Sequence, residues 1–269
     1  MGTIGFIGSG NMAEALIKGI IAAGLYKPAN IFISDIRPEQ LKQLARKYKV
    51  KPARNNSELA GRADIVVLSV KPQNIAEALE SIKDAISGKK LVISIAAGVR
   101  TTNIADVLGG VAIIRAMPNT PALIGEGASA LFANTKAKPM LKKAKAVFSA
   151  VGQAVVVDNE DLIDAVTAVS GSGPAYYFLL MEGMIKAAVE LGLPKTVAKD
   201  LVLQTAKGAG LLAVEADKTG ESPAELRQKV TSPGGTTEAA LKVLAKGKFG
   251  LLIEAAVKKA RDRSRELSD

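Results

Sequence analysis

The sequence contains no cysteine and no histidine among its 269 residues. Without cysteine there is no disulfide, no thiolate nucleophile and no thiolate-held metal. Without histidine, the commonest metal ligand and the commonest acid or base at neutral pH are both missing. Alcohol and hydroxy-acid dehydrogenases that pass a proton through histidine are thereby excluded, as is aldehyde oxidation through a thiohemiacetal. Chemistry is left to Lys, Tyr, Ser or Thr, carboxylates, backbone groups or the substrate's own proton, and no metal is expected.

Other features are scarce. Aromatic residues make up 4% of the chain and no nucleic-acid motif is present, so the net charge of +10 is not read as a nucleic-acid signal. Lys258, Lys259, Arg261, Arg263 and Arg265 are interspersed with Asp262 and Glu266, as on a solvated helix face. The positive balance would help to attract an anionic substrate and cofactor. No run approaches the roughly 18 apolar residues of a membrane span. Glu182 stops the most apolar stretch of the second half, Ala175 to Met181. No basic region precedes an apolar core at the N-terminus, so no signal peptide is expected. The chain reads as soluble and cytoplasmic, with neither a nucleic-acid nor a membrane partner.

What is present has a clear order. β-rich runs at 3–7, 31–34, 65–69, 91–94, 112–115, 128–132 and 154–157 alternate with helical patterns at 12–23, 38–48, 74–86 and 139–151, the signature of a parallel sheet. Beyond residue 160 only helices are predicted, at 162–169, 174–191, 195–214, 223–231, 236–244 and 249–267. The fold class is therefore α/β, with a Rossmann-type parallel-sheet domain over 1–160 followed by an all-helical substrate-binding and dimerisation domain over 161–269. The helix that opens Ala175-Tyr176-Tyr177-Phe178-Leu179-Leu180-Met181 is apolar on every face. Such a helix must be buried all round, and a helical half of this size has little room to do that alone. A homodimer through the helical half is expected.

Gly5-Phe6-Ile7-Gly8-Ser9-Gly10-Asn11-Met12-Ala13 places G-x-G-x-x-A between a strand and a helix. Gly8 permits the turn, Gly10 lets backbone approach a pyrophosphate, and Ala13 allows close helix packing. A plain glycine turn can look similar, but the strand ahead and a second strand ending at Asp35 favour dinucleotide binding. Gly8, Ser9, Gly10, Asn11 and Met12 would line that turn. At the second strand end the sequence points both ways: Asp35 suits the ribose hydroxyls of NAD, whereas Arg37 and Ser34 suit the 2′-phosphate of NADP. Asp35 could equally be an acidic cap before Pro38. NADPH or NADH is thus the expected cofactor. Ser69-Val70-Lys71-Pro72 and Ala96-Ala97-Gly98 end two further strands, where open α/β sheets bind ligands. For Lys71 a surface ion pair is the competing reading. Arg115 to Pro121, with two prolines, reads as an active-site wall or a rigid turn.

Two glycine-rich segments lie in the helical half. Ser170-Gly171-Ser172-Gly173-Pro174-Ala175-Tyr176 opens the apolar helix. Ser232-Pro233-Gly234-Gly235-Thr236-Thr237-Glu238 leads into another helix, and its N–H groups and hydroxyls can cradle a carboxylate or phosphate. A simple helix cap is the alternative. Ser232, Gly234, Gly235, Thr236 and Thr237 are the candidate substrate ligands.

Six of these motifs, in order, resemble those of the pyrroline-5-carboxylate reductases, and the resemblance runs essentially from Ile4 to Leu267. They are Gly-Phe-Ile-Gly-Ser-Gly-Asn-Met, Val-Lys-Pro, Ile-Ala-Ala-Gly-Val, Arg-Ala-Met-Pro-Asn-Thr-Pro-Ala, Ser-Gly-Ser-Gly-Pro-Ala-Tyr and Ser-Pro-Gly-Gly-Thr-Thr. The resemblance implies reduction of the C=N bond of 1-pyrroline-5-carboxylate to L-proline by NAD(P)H, the last step of proline biosynthesis. It implies that the substrate carboxylate sits on the Ser232–Thr237 loop and that Thr237, as the catalytic residue, hydrogen-bonds the ring nitrogen. It places Asn56 near the adenine side of the cofactor, and it implies dimers assembled into larger rings. The absence of histidine suits such a reaction, because a cyclic imine arrives protonated and hydride addition then gives a neutral amine.

Alternatives remain. A related imine or β-hydroxyacid reductase would share the first domain, but the hydroxyacid enzymes generally use a lysine on the long helix. Lys186 is the one lysine between Gly171 and Leu193, and nothing around it marks it as catalytic. A dinucleotide-sensing protein without activity would need no second glycine-rich cradle.

Overall fold

Ile4, Gly5, Phe6 and Ile7 make strand β1 (Ile4–Ile7), buried at every position as a strand covered on both faces must be. It is joined by β2 (Ile31–Ser34), β3 (Lys51–Pro52), β4 (Ile65–Leu68), β5 (Leu91–Ser94), β6 (Ala112–Met117), β7 (Gly127–Ala133) and β8 (Gly152–Val156). They form one sheet in the order β3-β2-β1-β4-β5-β6-β7-β8. Every adjacent pair is parallel except β6 with β7. Helices α1 (Asn11–Ala22), α2 (Pro38–Tyr48), α3 (Asn56–Arg62), α4 (Ile75–Glu80), α5 (Thr101–Leu108), α6 (Leu141–Ser149) and α7 (Leu162–Val166) connect and cover the strands.

Alternation along each strand builds two cores. Ile4, Phe6, Ile65 and Val67 pack with Leu16, Ile17 and Phe148 on one face, while Ile7, Val66 and Leu68 pack with Leu59, Leu79 and Ile104 on the other. A Cβ at Gly5 would collide with the Leu59 side chain. Glycine there lets α3 lie close against β1.

The computed structural model of the chain describes residues 2–267. It divides into two compact units: residues up to Pro174 together with those from Val257 onward, and Ala175–Ala256. This division differs from a boundary at 160. Helix α7 and the π-helical turn Thr167–Gly171 follow the last strand yet belong with the sheet, where Ile163, Asp164 and Ala168 are buried.

The remaining helices are α8 (Gly173–Glu190), α9 (Lys195–Asp217), α10 (Pro223–Lys229), α11 (Thr236–Lys246) and α12 (Phe249–Glu266). Gly192, at φ +96°, and Pro194, at the N-cap of α9, separate the two long helices. Ser222 and Glu225 close a capping box on α10. Tyr177, Phe178 and Leu179 on α8 are each at least 60% exposed. Within the Ala175–Ala256 unit these side chains are left uncovered. Among the described residues no helix is long and apolar enough to cross a membrane.

Several elements escaped the sequence reading. The segment 74–86 is not one helix but α4 between two 3-10 turns, at Pro72–Asn74 and Lys83–Ala85. Helices α3 and α5 and the two-residue edge strand β3 were not expected, nor was the π turn ahead of α8.

Candidate active site

Strands β1 and β4 lie side by side where the strand order reverses, and open α/β sheets take ligands in the crevice at the carboxyl ends there. Ile7 stands opposite both Ser34 and Leu68, and Leu68 opposite Ser94. Four strands therefore end at one level. Gly8 leaves β1 at φ +87°, and a Cβ on it would lie 2.8 Å from the Ser69 carbonyl oxygen. Its N–H donates to Ser34 O at 2.9 Å. Ser69 Oγ lies 2.6 Å from Gly8 O and 3.0 Å from Ile7 O, tying the two strand ends together.

Gly10 is the N-cap of α1 and offers no side-chain cap, and a Cβ on it would meet nothing within 4 Å. Asn11 is exposed in the first turn, Met12 packs against the core and Ala13 is buried. An uncapped helix N-terminus beneath open space fits a pyrophosphate: free N–H groups and the helix dipole both favour an anion.

Asp35 has a role the sequence did not disclose. Its Oδ2 accepts the Ser9 N–H at 2.7 Å, and its Oδ1 accepts the Arg37 N–H at 2.9 Å. The Arg37 guanidinium grips both oxygens, at 2.9 and 3.0 Å. The carboxylate is 5% exposed whereas Arg37 is 60% exposed. Burial pushes the Asp35 carboxyl up, but the hydrogen bonds from Arg37 and from the Ser9 and Arg37 backbone outweigh it and hold the group below the ordinary aspartate range. Asp35 is not a helix cap, since Arg37 occupies the N-cap of α2. Ser9 is fully buried, and its carbonyl accepts Gln40 Nε2 at 2.7 Å.

Ser34, 3% exposed, donates to Asn56 Oδ1 at 2.6 Å, and Asn56 Nδ2 donates to Ser81 Oγ at 3.0 Å. These residues are thus brought together at the end of β2, with Ser81 as an unforeseen third member. Val70 is half-buried after β4, and Lys71 and Pro72 are exposed beyond it; Lys71 makes no ion pair among the described residues. After β5, Ala96 is buried and Ala97 half-buried. Arg115 does not line a wall: it is 1% exposed inside the unit. Further along the same segment Asn119 is tied into the fold. Its Oδ1 accepts the Ala128 N–H at 2.8 Å, and its Nδ2 donates to the carbonyl of Ser170 in the π turn at 3.0 Å.

In the helical unit the Ser232 loop turns at Gly234, φ +71°, whose N–H donates to Glu238 Oε2 at 3.0 Å. A Cβ on Gly235 would run into Ser232 Oγ, so a side chain there would push that hydroxyl aside. Gly235 is the N-cap of α11 and supplies no side-chain cap. Thr236 is exposed and Thr237 half-buried, and neither hydroxyl is hydrogen-bonded among the described residues. The Thr237 hydroxyl is therefore not a helix cap. A second uncapped N-terminus, flanked by the hydroxyls of Ser232, Thr236 and Thr237, fits a carboxylate.

Fold and site together define a nicotinamide-dinucleotide oxidoreductase with a helical dimerisation half. The family described as NADP oxidoreductase, coenzyme F420-dependent, matches residues 3–98, and the family described as pyrroline-5-carboxylate reductase dimerisation matches residues 160–267. A pyrroline-5-carboxylate reductase of Pseudomonas aeruginosa is 45% identical over 99% of this chain and 97% of its own length. The solved pyrroline-5-carboxylate reductase of Coxiella burnetii is 44% identical, with a TM-score of 0.93 over 100% of this chain and 99% of that one. A Plasmodium falciparum pyrroline carboxylate reductase, solved with NADP bound, is 32% identical with a TM-score of 0.86, covering 100% and 98% of the two chains. The chain belongs to the pyrroline-5-carboxylate reductase family.

Proposed function

We propose that this chain reduces 1-pyrroline-5-carboxylate to L-proline as the last step of proline biosynthesis, in the cytoplasm, as a homodimer that assembles further into a ring. One observation carries the reading. Two glycine-led helix N-termini, those of α1 and α11, stand without side-chain caps in a chain that aligns along nearly its whole length with named pyrroline-5-carboxylate reductases.

NAD(P)H, when bound, supplies the hydride for the C=N carbon. Gly8, Ser9, Gly10, Asn11 and Met12 take the pyrophosphate. Ser34, Asp35, Arg37 and Asn56 form the ribose and adenine end, with Arg37 presenting charge to solvent and Asp35 holding the turn. Ser69, Val70, Lys71, Pro72, Ala96 and Ala97 line the path toward the nicotinamide. Ser232, Gly234, Gly235 and Thr236 hold the substrate carboxylate, and Thr237 orients the ring nitrogen. The imine brings its own proton, so the protein's work is positioning and charge placement. No acid from a side chain is required.

A spectrophotometric panel tests this. Purified protein is given NADPH or NADH with pyrroline-5-carboxylate, with an open-chain ketone, and, in reverse, NADP with a β-hydroxyacid. Oxidation of the reduced cofactor with the cyclic imine alone is expected. Turnover of the hydroxyacid without turnover of the imine would move the chain to the alternative class, and no turnover with any substrate would favour a sensor. Light scattering tests the ring, because a particle no larger than two chains would remove the higher assembly.

A further inference from the structure

Inside the sheet unit is a buried polar chain that the reaction does not use. Arg115 Nη2 lies 3.3 Å from Asp164 Oδ1, and Arg115 Nη1 lies 3.5 Å from Glu160 Oε1 without hydrogen-bond geometry. Glu160 accepts both the N–H and the hydroxyl of Thr101, each at 2.7 Å. Asp164 accepts the hydroxyl of Ser264 at 2.8 Å. Every one of these five residues is less than 10% exposed. Buried charges persist only when paired and hydrogen-bonded, so removing one partner is felt by the rest. At the rim, Arg100 Nη2 meets Asp161 Oδ1 at 2.6 Å.

This chain of contacts ends on the loop after β5. Thr101 begins α5 directly behind Ala96 to Arg100. Ser264 sits in the last turns of α12, and just beyond it Leu267 packs on the same loop. A Cβ on Gly98 would lie 2.8 Å from the Leu267 carbonyl oxygen, and Gly98 has φ +74°. Two contacts therefore grip the loop from the C-terminal end of α12: one direct, at Gly98, and one relayed through Asp164, Arg115 and Glu160 to Thr101.

We propose that the end of α12, through Ser264 and Leu267, is a positioning element for the cofactor, fixing the Ala96–Gly98 loop against which the nicotinamide half rests. This rests on the assignment of Ala96 and Ala97 to the cofactor site under the proposed function. Ser264 is a positioning residue that acts through Asp164. Without its hydroxyl the Asp164 carboxylate loses a donor and recentres on Arg115, and the end of α12 is released from the loop. Displacements of about 1 Å at such a loop cost up to roughly 100-fold in a reaction that depends on alignment.

The test compares two ligands, NADPH and 2′-phospho-ADP-ribose, which shares every part of NADPH except the nicotinamide. Ser264→Ala should raise the Kd for NADPH roughly 10-fold while leaving that for 2′-phospho-ADP-ribose unchanged. Ser264→Thr, which keeps the hydroxyl, should restore much of the difference. Gly98→Ala, pressing on Leu267 from the other side, should give the same split. Equal losses for both ligands, or a lower melting temperature with an unchanged ratio of the two Kd values, would overturn the proposal. Ala97→Leu separates the proposal from its premise. If Ala97→Leu abolishes NADPH binding and Ser264→Ala does nothing, the role of α12 fails and the cofactor loop stands. If Ala97→Leu binds NADPH normally, the loop assignment falls and the proposal falls with it.

Discussion

The carboxylate of Asp35 accepts the backbone N–H of Ser9 at 2.7 Å, so the end of β2 holds the turn that follows β1. An acidic residue at this place is ordinarily read as the ribose ligand of NAD, but here both of its oxygens are engaged within the protein. Asp35→Ala should weaken NADH and NADPH together, by roughly 10-fold, as expected for loss of a charge-assisted hydrogen bond. Arg37→Ser, by contrast, removes the exposed cation and its grip on Asp35 but leaves the Asp35–Ser9 bond in place, and should lower NADPH affinity more than NADH affinity. Fluorescence titration with each cofactor distinguishes the two. A selective gain of NADPH affinity in Asp35→Ala would return Asp35 to the ribose.

The same carboxylate has a pH consequence. Its folded pKa is depressed, so its stabilisation is complete above the ordinary aspartate value of about 3.9 and is lost as pH falls through the folded value. Binding of NAD should hold between pH 7 and pH 5 and fail only in more acidic solution. The oxidised form is the suitable probe because it survives acid and lacks the 2′-phosphate of NADP, which itself titrates at about 6. A binding midpoint above pH 5 would show that another group governs the turn.

Gly8 and Gly10 are predicted to fail differently. Gly10→Val enters open space and should abolish cofactor binding with little loss of fold. Gly8→Ala forces a side chain onto a positive φ and into the Ser69 backbone, and should lower stability by about 1–3 kcal/mol. Thermal melts and cofactor titrations on the two variants test the contrast; equal melting temperatures would contradict it.

Thr237 makes no cap, so Thr237→Ala should leave the melting temperature almost unchanged. Loss of a hydrogen bond to the reacting nitrogen should lower kcat/KM for pyrroline-5-carboxylate by roughly 10- to 100-fold, or about 1.4–2.7 kcal/mol. Thr237→Ser should recover most of the activity, and Thr237→Val should not. A Val variant with wild-type kinetics would make Thr237 a bystander.

Strands and the first glycine turn were legible because their signals are local: alternating or continuous apolar runs ended by Gly, Asp or Ser. The bounds of β2, β5 and α2 match the expectation residue for residue. Helix α3 was missed although Asn55 and Glu58 spell a helix start, and the Asn55 side chain does accept the Glu58 N–H. Its seven residues carry too short an apolar pattern to register. The double duty of Asp35 and the links of Ser34 to Asn56 and Ser81 span 22 to 26 residues. No spacing rule reaches that far. The π turn was hidden for a related reason: Asn119, from 51 residues earlier, supplies the hydrogen bond to Ser170 that supports it.

Helix α8, with Tyr177, Phe178 and Leu179 uncovered in the single chain, ties stability to mass action. A surface that a second copy buries makes the thermal midpoint rise with protein concentration. Dilution alone then acts as a denaturant on the helical half. It also makes inheritance of defects unequal: a subunit crippled at Gly10 can still lend its helices to a sound partner, whereas one whose helical half does not fold leaves its partner bare.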